Sequence, residues 1–105
     1  GEAIDSLVAG GCIISGARVK RSVVSSGCRI HSFSLIKDSV LLPRVEVGRD
    51  CRIQNAVIDK GSIIPAGTII GEDPIEDARR FYVEASSGIV LVTPEMLGQK
   101  LHILR

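Results

Sequence analysis

Aliphatic residues recur from Leu7 to Ile70 at steps of 6, 6 and 5, so the pattern has a 17-residue period. These positions are Leu7, Ile13, Val19, Val24, Ile30, Ile36, Leu41, Val47, Ile53, Ile58, Ile64 and Ile70. The repeat is too short for two-helix solenoids or leucine-rich repeats, and it fits one coil of a three-sided parallel β-helix. We therefore predict an all-β prism of about four coils with these side chains pointing inward.

Small residues form a second column, two positions before each aliphatic from Ile13 onward. Side chains two apart on a strand share a face, so both columns should point inward, the small one where the walls of the prism meet. The column comprises Gly11, Ala17, Ser22, Cys28, Ser34, Ser39, Val45, Cys51, Ala56, Ser62 and Thr68.

Residues that favour turns lie three positions before many of the aliphatics. Glycine, aspartate and asparagine tolerate a positive φ at low cost, so they suit the corners of the prism. We predict corners at Gly10, Gly16, Gly27, Asp38, Asp50, Asn55, Gly61 and Gly67.

The period ends after Ile70, which divides the chain into a β-helix over residues 1–71 and a tail over residues 72–105. The tail is too small to fold alone, so it should pack on the prism or on a neighbour. The sequence begins at Gly1 with Leu7 already on the third side of a coil, and we expect a further segment upstream.

The tail predicts a helix, a strand and a second helix. Asp73, Pro74 and Glu76 suit an N-cap, a first helical residue and a capping-box partner, so a short helix should run from Pro74 to about Arg80. Four aliphatics at 89–92 favour a strand. A second helix should follow Thr93. It would present these residues on one face: Leu97, Leu101 and Leu104.

Composition narrows the range of functions. The chain has 105 residues, 45% of them hydrophobic, with two Phe, one Tyr and no Trp, so the core is aliphatic. A net charge of +1 gives no general attraction to nucleic acid or membranes, and no apolar run is long enough to span a bilayer. We expect a soluble protein with neither partner.

Three cysteines are an odd number without disulfide or metal-ligand spacing. Cys28 and Cys51 fall at small inward positions, and Cys12 falls one residue off that column. We therefore predict buried free thiols and a reducing, cytoplasmic location.

One outward surface is apolar. Val23, Val40 and Val57 each precede an inward aliphatic of the same face, with Leu42 beside them. They should stack one coil apart, at about 4.7–4.9 Å. Because contiguous apolar patches on soluble proteins are usually covered or functional, we predict that these four residues form an interface.

Another outward surface is basic. It is interrupted by Leu35 and Gln54 and fits either a solvated face or an anion-binding surface. Its basic residues are Arg18, Lys20, Lys37 and Arg52.

The segments GGCIISGARVKRSVV, SVLLPRVEVGRDCRI, AVIDKGSIIPAGTIIGEDPIEDARRFY and GIVLVTPEML resemble the carboxy-terminal domain of bacterial ADP-glucose pyrophosphorylase (glucose-1-phosphate adenylyltransferase). Residues 63–72 and 76–97 are the most specific, because generic hexapeptide-repeat proteins lack this tail. The resemblance implies a left-handed prism, a homotetramer, and a role in oligomerisation and allosteric regulation. It places adenylyl transfer in an amino-terminal domain, so we expect neither catalytic residues nor a cofactor here.

In that family, sugar-phosphate activators and nucleotide or phosphate inhibitors bind in a cleft beside the prism. The resemblance places Lys60 at this cleft, while Pro94 and Gly98 replace basic residues of some relatives. We also predict effector contacts for Arg79 and Arg80, which could instead only form ion pairs with the neighbouring acidic side chains.

Two other functions remain open. A hexapeptide-repeat acyltransferase would use His31 as its general base, and a free-standing β-helix scaffold would need no catalytic group. A β-helix carbonic anhydrase needs three histidines for each zinc ion, and His31 and His102 are too few, so we predict no metal site.

Overall fold

The computed structural model describes residues 1–99, and in them the chain winds into a three-sided parallel β-helix followed by a tail. The strands of the prism are short, with a corner between each and the next. They are β1 (Glu2–Ile4), β2 (Leu7–Val8), β3 (Ile13–Ile14), β4 (Arg18–Lys20), β5 (Val23–Val24), β6 (Arg29–Ile30), β7 (Leu35–Lys37), β8 (Val40–Leu41), β9 (Glu46–Val47), β10 (Arg52–Gln54), β11 (Ala56–Ile58), β12 (Ile63–Ile64) and β13 (Ile69–Ile70).

Every third strand belongs to the same sheet. The first sheet has the order β1-β4-β7-β10-β13, and the third has the order β12-β9-β6-β3. The second contains β11-β8-β5-β2 and is extended by two tail strands, β15 (Val90–Val92) and β14 (Tyr82–Val83). All pairs are parallel except β14 with β15. The predicted hexapeptide-repeat solenoid is confirmed.

The core is the aliphatic column predicted from the sequence, from Val19 onward. These ten side chains are at most 1% exposed. The small column packs beside them, and most of its hydroxyl and thiol groups donate to backbone carbonyls. The buried Ser62 hydroxyl is an exception, with no hydrogen-bond partner among the described residues. The Ser34 hydroxyl donates to the Gly48 carbonyl at 2.6 Å, and the Cys51 thiol donates to the Pro65 carbonyl at 3.1 Å.

The first coil departs from the 17-residue period. The step from Ile14 to its partner Ile30 is one residue shorter than the step from Ile30 to its partner Val47. The expectation that Leu7 and Ile13 point inward is therefore wrong, since they are 71% and 52% exposed. Their neighbours in sequence, Val8 and Ile14, align with the inward column.

A shorter corner explains this shift. Gly16 turns its corner alone, whereas later coils use two residues, such as Ser32 and Phe33. A one-residue change in register moves a strand's side chains to the opposite face. Cys12, rather than Gly11, consequently occupies the small column, where its thiol donates to the Ser25 carbonyl at 3.0 Å.

The corners otherwise follow the turn residues. Positive φ is confirmed at all predicted positions except Gly10, whose place is taken by Gly11 because of the shorter first coil. Positive φ also occurs at three corners whose residue types do not predict it: Arg21, Phe33 and Arg44.

The tail begins with helix α1 (Pro74–Arg80), as predicted. Asp73 caps it by accepting hydrogen bonds from the amides of Ile75 and Glu76. The Glu76 carboxylate pairs with Arg79 at 3.3 Å and forms no hydrogen bond to Asp73. The predicted capping box is therefore only half formed, by Asp73.

The strand expected at 89–92 is confirmed as β15, and β14 was missed. The predicted second helix is instead a 3-10 turn, Glu95–Leu97, ended by Gly98 at φ 76°. Leu101, Leu104 and His102 lie outside the described residues.

Side chains of the tail also close the last coil. The Gln99 side-chain amide accepts from the Ile63 N–H at 3.0 Å and donates to the Ile63 carbonyl at 2.6 Å, as a neighbouring strand would. Arg80 donates to the Ile69 carbonyl at 2.8 Å, and the buried Asp77 carboxylate accepts from the Gly71 amide. These contacts occupy backbone groups that would otherwise form an open sheet edge.

Candidate functional surfaces

A continuous apolar column crosses the outer side of the second sheet. Each residue pairs directly with the next across neighbouring strands, so their side chains stack along the solenoid. We call this column the apolar stripe: Leu7, Val23, Val40, Val57, Leu91 and Tyr82.

The stripe includes the three valines predicted as an interface and extends beyond them at both ends. Val23 is 40% exposed, Val40 and Val57 are half-buried, and Leu42 lies beside them half-buried. The tail lengthens the stripe through Leu91 rather than covering it. Sequence reasoning missed Leu7 because of the register shift.

A shallow depression of about 490 Å³ lies where the stripe meets the tail. Its lining is almost wholly apolar apart from Glu84 and Ser87. The other residues around it are Val57, Tyr82, Ile89 and Leu91. This end of the stripe therefore offers a concave apolar surface, a shape suited to a protruding side chain of a partner.

Glu84 organises the loop that borders this depression. Its carboxylate accepts hydrogen bonds from the Ser86 hydroxyl at 2.6 Å and the Ser87 hydroxyl at 2.8 Å, and from both backbone amides. Hydrogen bonds from the side chains of Ser86 and then Ser87 are the main reason that the pKa of Glu84 falls to about 2.

This shift predicts a pH-dependent contribution to stability. Because the pKa of Glu84 is about 2 in the folded chain against an ordinary 4.5, its contribution is present above pH 4.5 and is lost as the pH falls toward 2. Glu84→Gln should remove this part of the pH dependence, measured as the free energy of unfolding in urea. Titration of the Glu84 carboxyl carbon by NMR with a midpoint near the ordinary value would contradict the prediction.

The predicted effector residues occupy different parts of the chain. Lys60 lies half-buried between β11 and β12, and its amide donates to the Asp59 carboxylate at 2.8 Å. Arg79 and Arg80 lie at the end of α1, the helix that follows β13 of the first sheet. Within residues 1–99, no hydrogen bond or ion pair joins Lys60 to either arginine.

Both arginines already have partners. Arg79 pairs with Glu76, while Arg80 lies 3.9 Å from the Asp77 carboxylate, donates to the Ile69 carbonyl and stacks on Phe81 with its guanidinium carbon 4.8 Å from the ring centre. Arg80 therefore helps to fix the tail on the prism, whatever else it binds.

Two of the four basic side chains on the first sheet are neutralised by acidic neighbours. Arg18 pairs with Glu2 at 3.0 Å, and Arg52 is held by both oxygens of Glu72 at 2.8 Å. The hydrogen bonds from Arg52 to Glu72 raise the pKa of Arg52. Lys20 and Lys37 stack on neighbouring strands, and neither forms an ion pair with another described residue.

His31, the candidate acyltransferase base, is paired with a carboxylate. Its Nε2 lies 2.9 Å from Glu46 Oε2 on the outer side of the third sheet. The two side chains are 43% and 40% exposed, so the pair lies on an open face, where solvent screens it.

The cysteines are free thiols, and burial raises the pKa of both Cys28 and Cys51, which makes them poor nucleophiles. No group of three or more His, Cys, Asp or Glu side chains within residues 1–99 is arranged to hold a metal ion. The helices in that part of the chain are too short or too polar to cross a membrane.

Comparison with known proteins identifies close relatives. The family described as GlmU-like, C-terminal hexapeptide matches residues 1–92. A glucose-1-phosphate adenylyltransferase of Hydrogenovibrio crunogenus is 77% identical over all 105 residues, which cover 25% of that protein. The enzymes of the same name from Thiobacillus denitrificans and Methylococcus capsulatus are 65% and 58% identical over 97% and 100% of this chain.

The resemblance noted in the sequence is thus confirmed. The chain spans about a quarter of the length of these relatives, at 25%, 23% and 24%.

Proposed function

This chain belongs to the GlmU-like, C-terminal hexapeptide family, and on that premise we propose that it is the oligomerisation and regulatory part of a glucose-1-phosphate adenylyltransferase. In such an enzyme, an amino-terminal domain would transfer the adenylyl group from ATP to glucose 1-phosphate. The observation that carries the proposal is the 77% identity to a relative with that name. The free thiols suit the reducing cytoplasm predicted from the sequence.

The apolar stripe supports the oligomerisation role. It is a contiguous apolar surface on a rigid sheet, and removing it from water would favour association. We propose that a second copy of the chain or the amino-terminal domain covers Val23, Val40, Leu42 and Val57. The concave end at Leu91 would be part of the same interface.

A charged substitution in the stripe should break the assembly. We expect light scattering to give a mass above 11.2 kDa for the wild type and about that mass for Val40→Asp, because an unpaired carboxylate would be buried in the interface. Leu35→Asp is the matched control, since Leu35 is also half-buried and outward but lies on the first sheet. A wild-type mass of one chain, or equal losses in both variants, would contradict an interface between copies of this chain and leave the amino-terminal domain as the partner that covers the stripe.

The regulatory role rests on Lys60, with Arg79 and Arg80 as further contacts. We expect calorimetry to detect fructose 1,6-bisphosphate binding in the wild type and a loss of about tenfold or more in Lys60→Ala, because a charge-assisted contact to phosphate is removed. Lys37→Ala, on another sheet, should bind as the wild type does. Equal affinities in the wild type and the Lys60 variant would remove Lys60 from the effector site.

A further inference from the structure

Phe33 is held in an unfavourable conformation without the burial that would compensate for it. Its φ is 66°, in the left-handed region, and the residue is 68% exposed. The same corner is occupied in the other coils by Gly16, Asp50 and Gly67, which are residues suited to that φ. A bulky residue there is an outlier, and such outliers cluster at functional sites.

The ring is fixed at the edge of a shallow depression. The Arg49 guanidinium lies over it, 5.5 Å from the ring centre. The ring then lines a depression of about 260 Å³ together with Asp50, Arg52 and the partly exposed Ile69. This volume is below the roughly 300–1,000 Å³ of pockets that enclose whole small molecules, so the depression suits one ring of a larger ligand.

The polar groups around the depression define the chemistry of that ligand. The Asp50 carboxylate accepts no hydrogen bond from any residue in the described range, so it is available to a donor. Arg52 is neutralised by Glu72 yet retains N–H groups that are not used in that pair. A phosphorylated ligand would bring its negative charge toward Asp50, whereas a neutral ligand with adjacent hydroxyls can both donate to Asp50 and accept from Arg52.

We propose that this depression binds one face of a neutral sugar ring in an oligosaccharide. The C–H face of the ring stacks on Phe33 and contacts Ile69, and its hydroxyls bond to Asp50 and Arg52. The proposal is independent of the effector role of Lys60, which lies at the corner between the second and third sheets, whereas Phe33 lies at the corner between the third and first sheets. The proposal also explains why an aromatic residue occupies a position with positive φ. A glycine there would avoid the conformational strain but would offer no stacking surface.

The test is an NMR titration of the isotopically labelled chain with maltotriose. We expect the backbone signals of Phe33, Asp50 and Gly67 to shift together and saturate. Phe33→Gly should weaken the affinity at least about tenfold and raise the melting temperature by a few degrees, because it relieves the positive φ. A purely structural role for Phe33 predicts a lower melting temperature instead.

Arg44→Gly is the matched control. Arg44 also has positive φ, at 61°, and lies between Gly27 and Gly61 in another corner, so its replacement should stabilise the fold without changing maltotriose binding. Asparagine tolerates the positive φ of Asp50, so Asp50→Asn should weaken binding without unfolding the chain. Absence of the shifts, unchanged affinity in Phe33→Gly, or tighter binding of glucose 1-phosphate than of maltotriose at these residues would overturn the proposal. So would shifts at the same residues on raising the protein concentration alone, which would indicate a contact between copies.

Discussion

Ile53→Ala is expected to lower the free energy of unfolding by about 2–5 kcal/mol. Ile53 is 1% exposed and is stacked between Ile36 and Ile70 on the neighbouring strands of the first sheet. Truncation removes three buried carbon atoms and leaves a cavity, because the rigid coils above and below cannot collapse into it. Urea denaturation measures the loss.

The control for this substitution is Ile13→Ala. The 17-residue pattern places both isoleucines in the inward column, but the structure places Ile13 outside, at 52% exposure. Its replacement should change stability by only about 0.5 kcal/mol. Similar losses in the two variants would show that the corrected register of the first coil is wrong.

Gly71→Ala is expected to destabilise the chain by about 2–5 kcal/mol, through two effects. Gly71 has φ 92°, where a side chain costs about 1–2 kcal/mol. An added Cβ would also overlap the backbone carbonyl of Gln54, and displacing packed backbone costs a further 1–3 kcal/mol or so. The strain falls at the junction of β13 with α1, so it would loosen the tail.

Gly61→Ala separates the two effects. Gly61 also has positive φ, at 71°, but an added Cβ would have no atom of residues 1–99 within 4 Å. Gly61→Ala should therefore lower the free energy of unfolding, measured in urea, only by the cost of the positive φ, about 1–2 kcal/mol. If Gly71→Ala costs no more than Gly61→Ala, then the close approach to Gln54 does not constrain the junction.

The candidate interface shows how far sequence reasoning extends to a surface. Val23, Val40 and Val57 were found because residues one coil apart must stack once the period is known. Leu91 and Tyr82 could not be found in this way, because they reach the stripe through β15 and β14, outside the repeat. Their placement depends on contacts between segments far apart in the chain.

The candidate effector surface is less completely predictable. Residue type and family resemblance selected Lys60, Arg79 and Arg80, but side-chain partners are not encoded in spacing. The contact of Arg80 with Ile69, a residue of the last coil, becomes visible only when α1 is packed against the prism. The structure thus assigns Arg80 a role in attaching the tail.

The residue pattern was enough to predict the solenoid, its core from Val19 onward, most corners and helix α1. Each of these is a local requirement: alternation sets which side chain is inward, residues that accept positive φ set the corners, and Asp73 with Pro74 starts the helix. The resemblance, rather than the pattern, supplied the expected left-handedness.

Three features follow only from the packing of the folded chain: the register of the first coil, the strand pairing of the tail, and the exposed position of Phe33 at a positive φ. A shortened corner at Gly16 leaves the aliphatic pattern almost unchanged, because Leu7 and Val8, like Ile13 and Ile14, are adjacent aliphatics that fit either register. Only pairing with the second coil distinguishes them, since a shift of one residue reverses which side chain is buried.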